Sequence, residues 1–243
     1  MSRLLFGTHA VENALRSRRV EMIFVVDAEV KRLASLLELA RQAKIPISER
    51  SRSELDSFAH GGLHQGICAV AGEFQYSSVE AILAAGKEAG RSPLVLVLDG
   101  VQDPQNLGAL VRSAHVFGCD GVIVPRDRAV HVNATVVKAS AGATEHMRIA
   151  LCTNVARTLE ELKAAGLWIA GSETANSQPP WSCDLTVPLA LVLGAEGAGI
   201  RPLVLRGCDM RVCIPMQGNV GSLNVAAAGA SLLYEILRQR TCH

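Results

Sequence analysis

The sequence predicts an α/β protein with a small N-terminal domain and a larger C-terminal domain built on a mostly parallel sheet. From residue 93 onward, short aliphatic runs alternate with helical stretches, as in a parallel sheet with helices on both faces. Residues 1–72 show a similar alternation over a shorter length. Hydrophobic residues make up 49% of the 243 residues and charged residues 19%, which excludes a disordered chain.

Residues 1–72 are expected to form the small α/β domain. Residues 73–92 contain two glycines and little large apolar material, which predicts a linker that holds one short helix. Hydrophobic spacing within the first domain predicts helices over 9–18, 30–43 and 53–57, and strands over 22–26, 45–47 and 66–71.

Residues 93–243 are expected to form the second domain. Asp103 followed by Pro104 marks one helix start, Asn154 a second, and Ser222 the start of a long C-terminal helix. The aliphatic runs predict strands over 94–98, 121–124, 148–151, 168–171, 189–193 and 211–214.

Composition and missing motifs exclude several classes of protein. No apolar run reaches the roughly 18–20 residues that a membrane span needs, and the first residues are unlike a secretory signal, so we expect a cytoplasmic protein without a membrane segment. The seven cysteines are scattered without a C-x-x-C pair, which predicts reduced thiols. The net charge of +1 gives no hint of a polyanionic partner.

The common motifs for phosphate, metal and hydrolase chemistry are also missing. There is no P-loop, no G-x-G-x-x-G after a strand and no G-x-S-x-G. His60 and His64 are four residues apart, but Gly61 and Gly62 break the helix that would align them, so we predict no metal site.

Polar clusters follow three of the predicted strands, at the edge where open α/β sheets bind their ligands. The first cluster, residues 99–112, contains Asn106 and Arg112. Asn106 could simply be a capping or first-turn residue, and Arg112 a solvated surface charge. Arg112 could also hold a phosphate through its bidentate guanidinium group.

The other two clusters are rich in glycine. In residues 191–202, Glu196 lies among glycines that allow the backbone to approach a ligand; alternatively this is a flexible turn with Glu196 in water. In residues 214–224, a polar loop leads into the last helix and could grip a polar or anionic ligand. Ser222 could be a plain N-cap there, whereas Asn224 is harder to explain structurally.

Together the three clusters resemble the three motifs of the SpoU (TrmH-type) branch of the SPOUT RNA methyltransferases. The matching segments read D-P-Q-N-L-G-A-L-V-R, L-V-L-G-A-E-G-A-G-I-R-P and I-P-M-Q-G-N-V-G-S-L-N-V-A-A-A, in the family's order and spacing. The N-terminal F-G-T-H-A-V-E-N-A-L and H-Q-G-I are similar to the family's small RNA-binding domain. The resemblance implies a deep trefoil knot in the C-terminal domain, a homodimer, and S-adenosylmethionine as cofactor.

The resemblance also implies a substrate and a set of site residues. The chain is most similar to the bacterial ribose methyltransferases that modify a guanosine in the peptidyl-transferase loop of 23S ribosomal RNA, free or in a large-subunit assembly intermediate. The family's cofactor-binding positions are Gly194, Ile214, Met216 and Leu223 here, and its polar catalytic positions are Asn106, Arg112, Glu196, Ser222 and Asn224.

The implied reaction transfers the sulfonium methyl to a ribose 2′-hydroxyl. The family assigns Arg112 as the base, but a guanidinium normally stays protonated in proteins, so stabilisation of the developing alkoxide by charge is equally consistent. Asn106 and Asn224 are expected to orient the ribose or the loops, Glu196 to position Asn106 or Arg112, and Ser222 to cap its loop.

Three other functions stay open. The first is 2′-O-methylation of tRNA or of another ribosomal RNA site. The second is a non-catalytic RNA-binding module in ribosome assembly. The third is a small-molecule α/β enzyme with an unrelated ligand.

Overall fold

The computed structural model describes residues 3–17, 19–59, 63–174, 177–219 and 221–241. These residues fall into two compact units, each made of two stretches of chain: Met1–Gln75 with Val132–His146, and Tyr76–His131 with Met147–His243. The helices and strands, in chain order, are β1 (Arg3–Phe6), α1 (Thr8–Arg16), β2 (Val20–Val26), α2 (Ala34–Gln42), β3 (Ile47–Arg50), α3 (Arg52–Ala59), β4 (Ile67–Ala71), α4 (Val79–Glu88), β5 (Leu94–Asp99), α5 (Pro104–Val116), β6 (Gly121–Pro125), α6 (Ala134–Ala139), β7 (Ile149–Cys152), α7 (Val155–Ala164), β8 (Trp168–Ser172), β9 (Leu189–Gly194), α8 (Pro202–Arg206), β10 (Met210–Val212) and α9 (Val225–Thr241).

The first unit is built on a mixed four-stranded sheet in the order β1–β4–β2–β3. Strand β4 runs antiparallel to β1 and β2, and β2 runs parallel to β3. Helices α1 and α2 pack on the sheet through an apolar core that includes Leu5, Val11, Ile23 and Leu37. This confirms the small α/β fold expected at the N-terminus.

The segment Val132–His146 belongs to this first unit, although the sequence predicts it in the second domain. Val137 is fully buried in the unit's apolar core. Glu145 is buried as well, and it pairs with Arg3 and Arg19 at 3.3 Å each. A buried carboxylate needs such partners, and these tie the segment to β1 and to the chain before β2.

The second unit contains a six-stranded parallel sheet in the order β10–β8–β9–β5–β6–β7. Strands β5 and β9 lie at its centre and are buried almost throughout, which explains their aliphatic sequences. All six predicted strands are present, and the predicted mostly parallel sheet is confirmed. The trefoil knot stays a prediction.

Several element boundaries differ from those predicted. The first strand, β1, is absent from the prediction because its sequence, Arg-Leu-Leu-Phe, does not alternate between polar and apolar residues. Helix α2 begins at Ala34 rather than at residue 30. The short helix expected between residues 73 and 92 is α4, but its Ile82 is fully buried in the core of the second unit. The three-part division into domains stays a prediction.

Two exclusions concern the described residues alone. None of the described helices is long and apolar enough to cross a membrane. No group of three or more metal-ligating side chains occurs among the same residues. His60, Gly61 and Gly62, on which the sequence argument about metal depended, lie outside the described part, as does Arg18 at the end of the first predicted helix.

Candidate active site

The first two polar clusters meet because β5 and β9 are adjacent parallel strands. Asp99 at the end of β5 lies beside Gly194 at the end of β9. The buried Asp99 carboxylate accepts hydrogen bonds from the Arg201 backbone N at 2.9 Å and from its Nε at 2.8 Å. The hydrogen bond to Asp99 raises the pKa of Arg201. The loop after β9 is thereby held against the end of β5.

Three predicted catalytic residues form one hydrogen-bonded group, which we call the amide–carboxylate trio: Asn106, Glu196 and Asn224. The Nδ2 of Asn106 donates to Glu196 Oε1 at 2.7 Å. The Nδ2 of Asn224 donates to the same oxygen at 2.8 Å and to Asn106 Oδ1 at 2.9 Å. One residue from each polar cluster contributes to the trio, so the three clusters form a single site.

Two helix starts hold the trio in place. Asp103 caps α5 by accepting from the backbone N of Asn106 at 3.0 Å, as the sequence predicts. Asn224 Oδ1 accepts from the backbone N of Ala226 at 2.9 Å and of Ala227 at 3.2 Å. Asn224 therefore caps α9 with its oxygen and joins the trio with its nitrogen.

The expected helix start at Ser222 is wrong. Helix α9 begins at Val225, three residues later. The reason is that the Asn224 side chain reaches the orphan N–H groups of the first turn, which makes it the cap. Ser222 instead lines the neighbouring cleft.

A cleft of about 570 Å³ opens beside the trio at the carboxyl edge of the sheet. All four predicted cofactor-binding residues line it, as do Glu196, Ser222 and Asn224. The apolar part of its lining includes Leu193, Ile214, Met216 and Leu223. The structure thus brings seven of the nine predicted site residues to one cavity.

The cleft depends on a glycine at the end of β9. A Cβ on Gly194 would overlap the backbone of Gly199 and Ile200. The loop between them folds back on itself, with Ala195 and Gly199 exchanging backbone hydrogen bonds of 3.1 and 2.9 Å. Gly197 and Gly199 have φ angles of +75° and +67°, which favour glycine.

Arg112 is not among the residues that line the cleft. It is exposed on α5, and within the described chain its side chain makes no hydrogen bond or ion pair. Val116, four residues later and thus on the same face of the helix, is 65% exposed. Asn106 also lies outside the cleft lining and reaches it through Glu196 and Asn224.

Glu173 lines the cleft, and the sequence reasoning missed it. It directly follows β8, so it occupies the same edge of the sheet as the three clusters. Its backbone N donates to Val212 O at 3.0 Å, which fixes it to the neighbouring strand. A search for acidic residues just after each predicted strand would have found it, but the loop that follows lacks the glycines that drew attention to the other clusters.

Comparisons with known proteins identify the family. The family model described as SpoU rRNA Methylase matches residues 93–234, more than half of the chain. The chain belongs to this family. A second model, described as RNA 2'-O ribose methyltransferase substrate binding, matches residues 4–77. The SpoU chain is therefore an RNA 2′-O-ribose methyltransferase, with a substrate-binding region before the methylase region.

Similar proteins cover nearly the full length of this SpoU chain. The 23S rRNA (guanosine-2'-O-)-methyltransferase RlmB of Pseudomonas aeruginosa is 42% identical over 240 residues, covering 98% of this chain and 96% of its own. A Bacillus subtilis protein named for the TrmH family of tRNA/rRNA methyltransferases is 38% identical, covering 97% of this chain and 95% of its own.

Solved structures share the fold. The SpoU methyltransferase AviRb from Streptomyces viridochromogenes, solved in complex with AdoMet, superposes with a TM-score of 0.83 at 24% identity, covering 100% of this chain and 92% of that one. An RNA methyltransferase of the TrmH family from Porphyromonas gingivalis gives a TM-score of 0.76 at 28% identity, covering 98% of this chain and 90% of that one.

S-adenosylmethionine is the methyl donor of SpoU methylases, and the chemistry of the cleft suits it. A volume of about 570 Å³ is within the range of small-molecule sites. The apolar side chains Leu193, Ile214 and Leu223 suit an adenine ring, and the open backbone of the glycine loop offers polar groups. Glu173 and Glu196 supply negative charge for a cationic ligand.

Proposed function

We propose that this protein methylates the ribose 2′-hydroxyl of a guanosine in the peptidyl-transferase loop of 23S ribosomal RNA. The observation that carries the proposal is the amide–carboxylate trio, which places polar groups from all three motif clusters beside a cleft that suits S-adenosylmethionine. The choice of 23S RNA rests on the 42% identity to RlmB. We propose the cytoplasm, where ribosomal RNA is processed, as its location.

When bound, the cofactor supplies an electrophilic methyl group on a sulfonium. The protein then has to align the ribose hydroxyl and manage its proton. Both Nδ2 hydrogens of Asn224 are used within the trio, whereas the second Nδ2 hydrogen of Asn106 has no acceptor in the described chain. We propose that this hydrogen is donated to a ribose oxygen and that Glu196 holds the amide in that orientation.

For Arg112 we propose an electrostatic role, in which it holds a substrate phosphate and stabilises the developing alkoxide. Its exposed guanidinium is unpaired in the described chain and so is available to RNA. Arg112→Lys should lose activity because the bidentate contact is lost. If a substrate analogue with a more acidic 2′-hydroxyl restores turnover in this variant, Arg112 acts as the base; failure to restore it supports the electrostatic role.

We also propose that the protein is a homodimer that pairs through the outer face of α5 and α9. Val116 on α5 and Tyr234 on α9 are 65% and 58% exposed, and the Phe117 and Tyr234 rings stack edge to face at 6.1 Å between centroids. An apolar surface across two packed helices favours association. Arg112 shares this face of α5, so an interface centred on Val116 and Tyr234 has to leave the guanidinium open to RNA.

The substrate is tested by methyl incorporation from labelled S-adenosylmethionine into purified 23S ribosomal RNA that lacks the modification. Transfer RNA and 16S ribosomal RNA serve as the comparison substrates. We expect incorporation into 23S RNA, free or as an assembly intermediate. Incorporation into tRNA alone would keep the chemistry and contradict the substrate, and tight cofactor and RNA binding without any incorporation would favour the non-catalytic module.

A further inference from the structure

The cleft is lined by negative charge, and methyl transfer changes the charge of the ligand that would bind in it. Among its described lining residues the charged ones are Glu173 and Glu196, with no lysine, arginine or histidine. Methyl transfer breaks the S–CH₃ bond and forms an O–CH₃ bond, while the hydroxyl proton leaves to a base or solvent. The sulfonium becomes a neutral thioether, so the product S-adenosylhomocysteine carries one positive charge fewer than S-adenosylmethionine.

The two carboxylates differ in how far they are engaged. Glu196 Oε1 accepts hydrogen bonds from both amides of the trio. Glu173 Oε1 accepts from the Thr174 backbone N at 2.7 Å and from its Oγ1 at 3.3 Å. Glu173 Oε2 accepts no hydrogen bond within the described chain, so this oxygen is available to a ligand.

Glu173 Oε2 faces the glycine loop across the cleft. It lies 3.8 Å from the place where a Cβ on Gly199 would be. Because Gly199 has no side chain, nothing from that residue covers the carboxylate. The oxygen therefore borders the space between the end of β8 and the loop after β9, inside the cofactor cleft.

We propose that Glu173 is a specificity-determining residue that favours the charged methyl donor over its neutral product, an inference that rests on the proposed function. A carboxylate within several ångströms attracts the sulfonium and loses that attraction once the methyl has left. The same residue thereby promotes release of the product. Its charge matters because none of the described residues that line the cleft is a cation that would cancel it.

The test is isothermal titration of the protein with S-adenosylmethionine, S-adenosylhomocysteine and sinefungin, which carries an ammonium group close to the sulfonium position. Glu173→Gln keeps the side-chain shape and the Oε1 acceptor for Thr174. We expect the variant to bind S-adenosylmethionine and sinefungin about three- to tenfold more weakly, with S-adenosylhomocysteine affinity nearly unchanged. The preference of the wild-type protein for the charged ligands should also weaken with added salt.

Glu160→Gln is the matched control, since it removes the same charge from the exposed face of α7, outside the cleft. It should leave all three affinities unchanged. An equal loss for charged and neutral ligands in Glu173→Gln would overturn the proposal, because a hydrogen bond to the shared ribose would then explain it. Unchanged affinities in Glu173→Gln would overturn it as well. Failure of the wild-type protein to bind S-adenosylmethionine would overturn the proposed function itself.

Discussion

At the scale of single residues, Asn224 connects the structure of the site with its chemistry. Its oxygen caps α9 and its nitrogen holds Glu196 and Asn106. A residue with both tasks explains why an asparagine stands there: a serine or an aspartate could cap the helix, but only an amide can accept with its oxygen while its nitrogen donates to both Glu196 and Asn106.

Two substitutions of Asn224 separate these tasks. Asn224→Ser keeps a capping oxygen, but its single short hydroxyl cannot replace the amide that donates to both Glu196 and Asn106, so we expect about a 100-fold lower turnover with little change in melting temperature. Asn224→Ala loses the cap too and should cost about 1 kcal/mol, or roughly 2–4 °C in melting temperature. Thermal unfolding and single-turnover methylation measure the two effects. Full activity in Asn224→Ser would remove Asn224 from the catalytic set.

The residues of the trio could be named from the sequence, but their contacts could not. Asn106, Glu196 and Asn224 stand out as polar residues after buried strands. Asn106 and Glu196 are 90 positions apart, however, and only the parallel pairing of β5 with β9 brings them within 2.7 Å. Glu173 shows the converse case: its place just after a predicted strand is visible in the sequence, but the loop that follows it lacks the glycines of the other clusters.

At the scale of elements, the loop after β9 shapes the cleft, and Gly194 is its tightest point. Gly194→Ala would drive a Cβ into the backbone of Gly199 and Ile200. We expect a loss of about 1–3 kcal/mol in the free energy of unfolding and a clear loss of cofactor affinity. Denaturant unfolding and calorimetry check both. Gly218→Ala is the control, since its Cβ would meet nothing within 4 Å; equal behaviour of the two variants would contradict the role of Gly194.

Helix α9 contributes a small, pH-dependent stabilisation. Hydrogen bonds from Arg238 at 2.7 and 2.8 Å and from Gln239 at 2.9 Å hold the Glu235 carboxylate. The Arg238 contacts lower the pKa of Glu235 from 4.5 to about 2. Because the folded pKa is the lower one, the stabilisation is complete above about pH 4.5 and is lost as the pH falls towards 2.

Glu235→Gln tests this effect. At pH 7 the variant should be less stable by about 0.5 kcal/mol, because the pair is near the solvent and screened. The difference from the wild-type protein should shrink steadily between pH 4.5 and the lowest pH at which both stay folded. Melting temperatures of both proteins measured across this pH range test the prediction. A stability difference that grows as the pH falls would contradict a stabilising role of the Glu235 carboxylate.

Elements with a strong hydrophobic pattern were predictable, and elements without one were not. The aliphatic strands β5, β6 and β9 follow directly from their sequences, because strands buried on both faces are apolar throughout. Strand β1 does not alternate between polar and apolar residues, and helix α6, with six residues, is too short for a helical periodicity. The packing of α6 into the first unit depends on Glu145 and Val137 and could be seen only in three dimensions.

At the scale of the whole molecule, the first unit is completed by a segment inserted between β6 and β7. Glu145→Ala should therefore destabilise the first unit by about 3 kcal/mol, since it leaves the buried Arg3 without its carboxylate partner. Hydrogen exchange should report the loss in β1 and α6. If exchange in β1 stays slow, Val132–His146 does not hold this unit together. The same variant should keep its affinity for S-adenosylmethionine, which calorimetry checks.

The proposed dimer predicts a second effect at this scale. Val116→Glu should produce a monomer, because it places a charge in the apolar α5–α9 face. Leu203→Glu is the matched control: Leu203 is 58% exposed on α8, and the substitution should leave the dimer intact. Analytical ultracentrifugation distinguishes the outcomes. A monomeric wild-type protein, or dimerisation insensitive to Val116→Glu, would contradict this interface.

The most direct test of the central claim is the position of the methyl group on the RNA. Unmethylated 23S ribosomal RNA is incubated with labelled S-adenosylmethionine and either the wild-type protein or Asn106→Ala, then hydrolysed in alkali and mapped. We predict one alkali-resistant linkage with the wild-type protein, at a 2′-O-methylated guanosine in the peptidyl-transferase loop. With Asn106→Ala we predict that this linkage is nearly absent. Label recovered on a base, with every linkage still cleaved by alkali, would contradict the account.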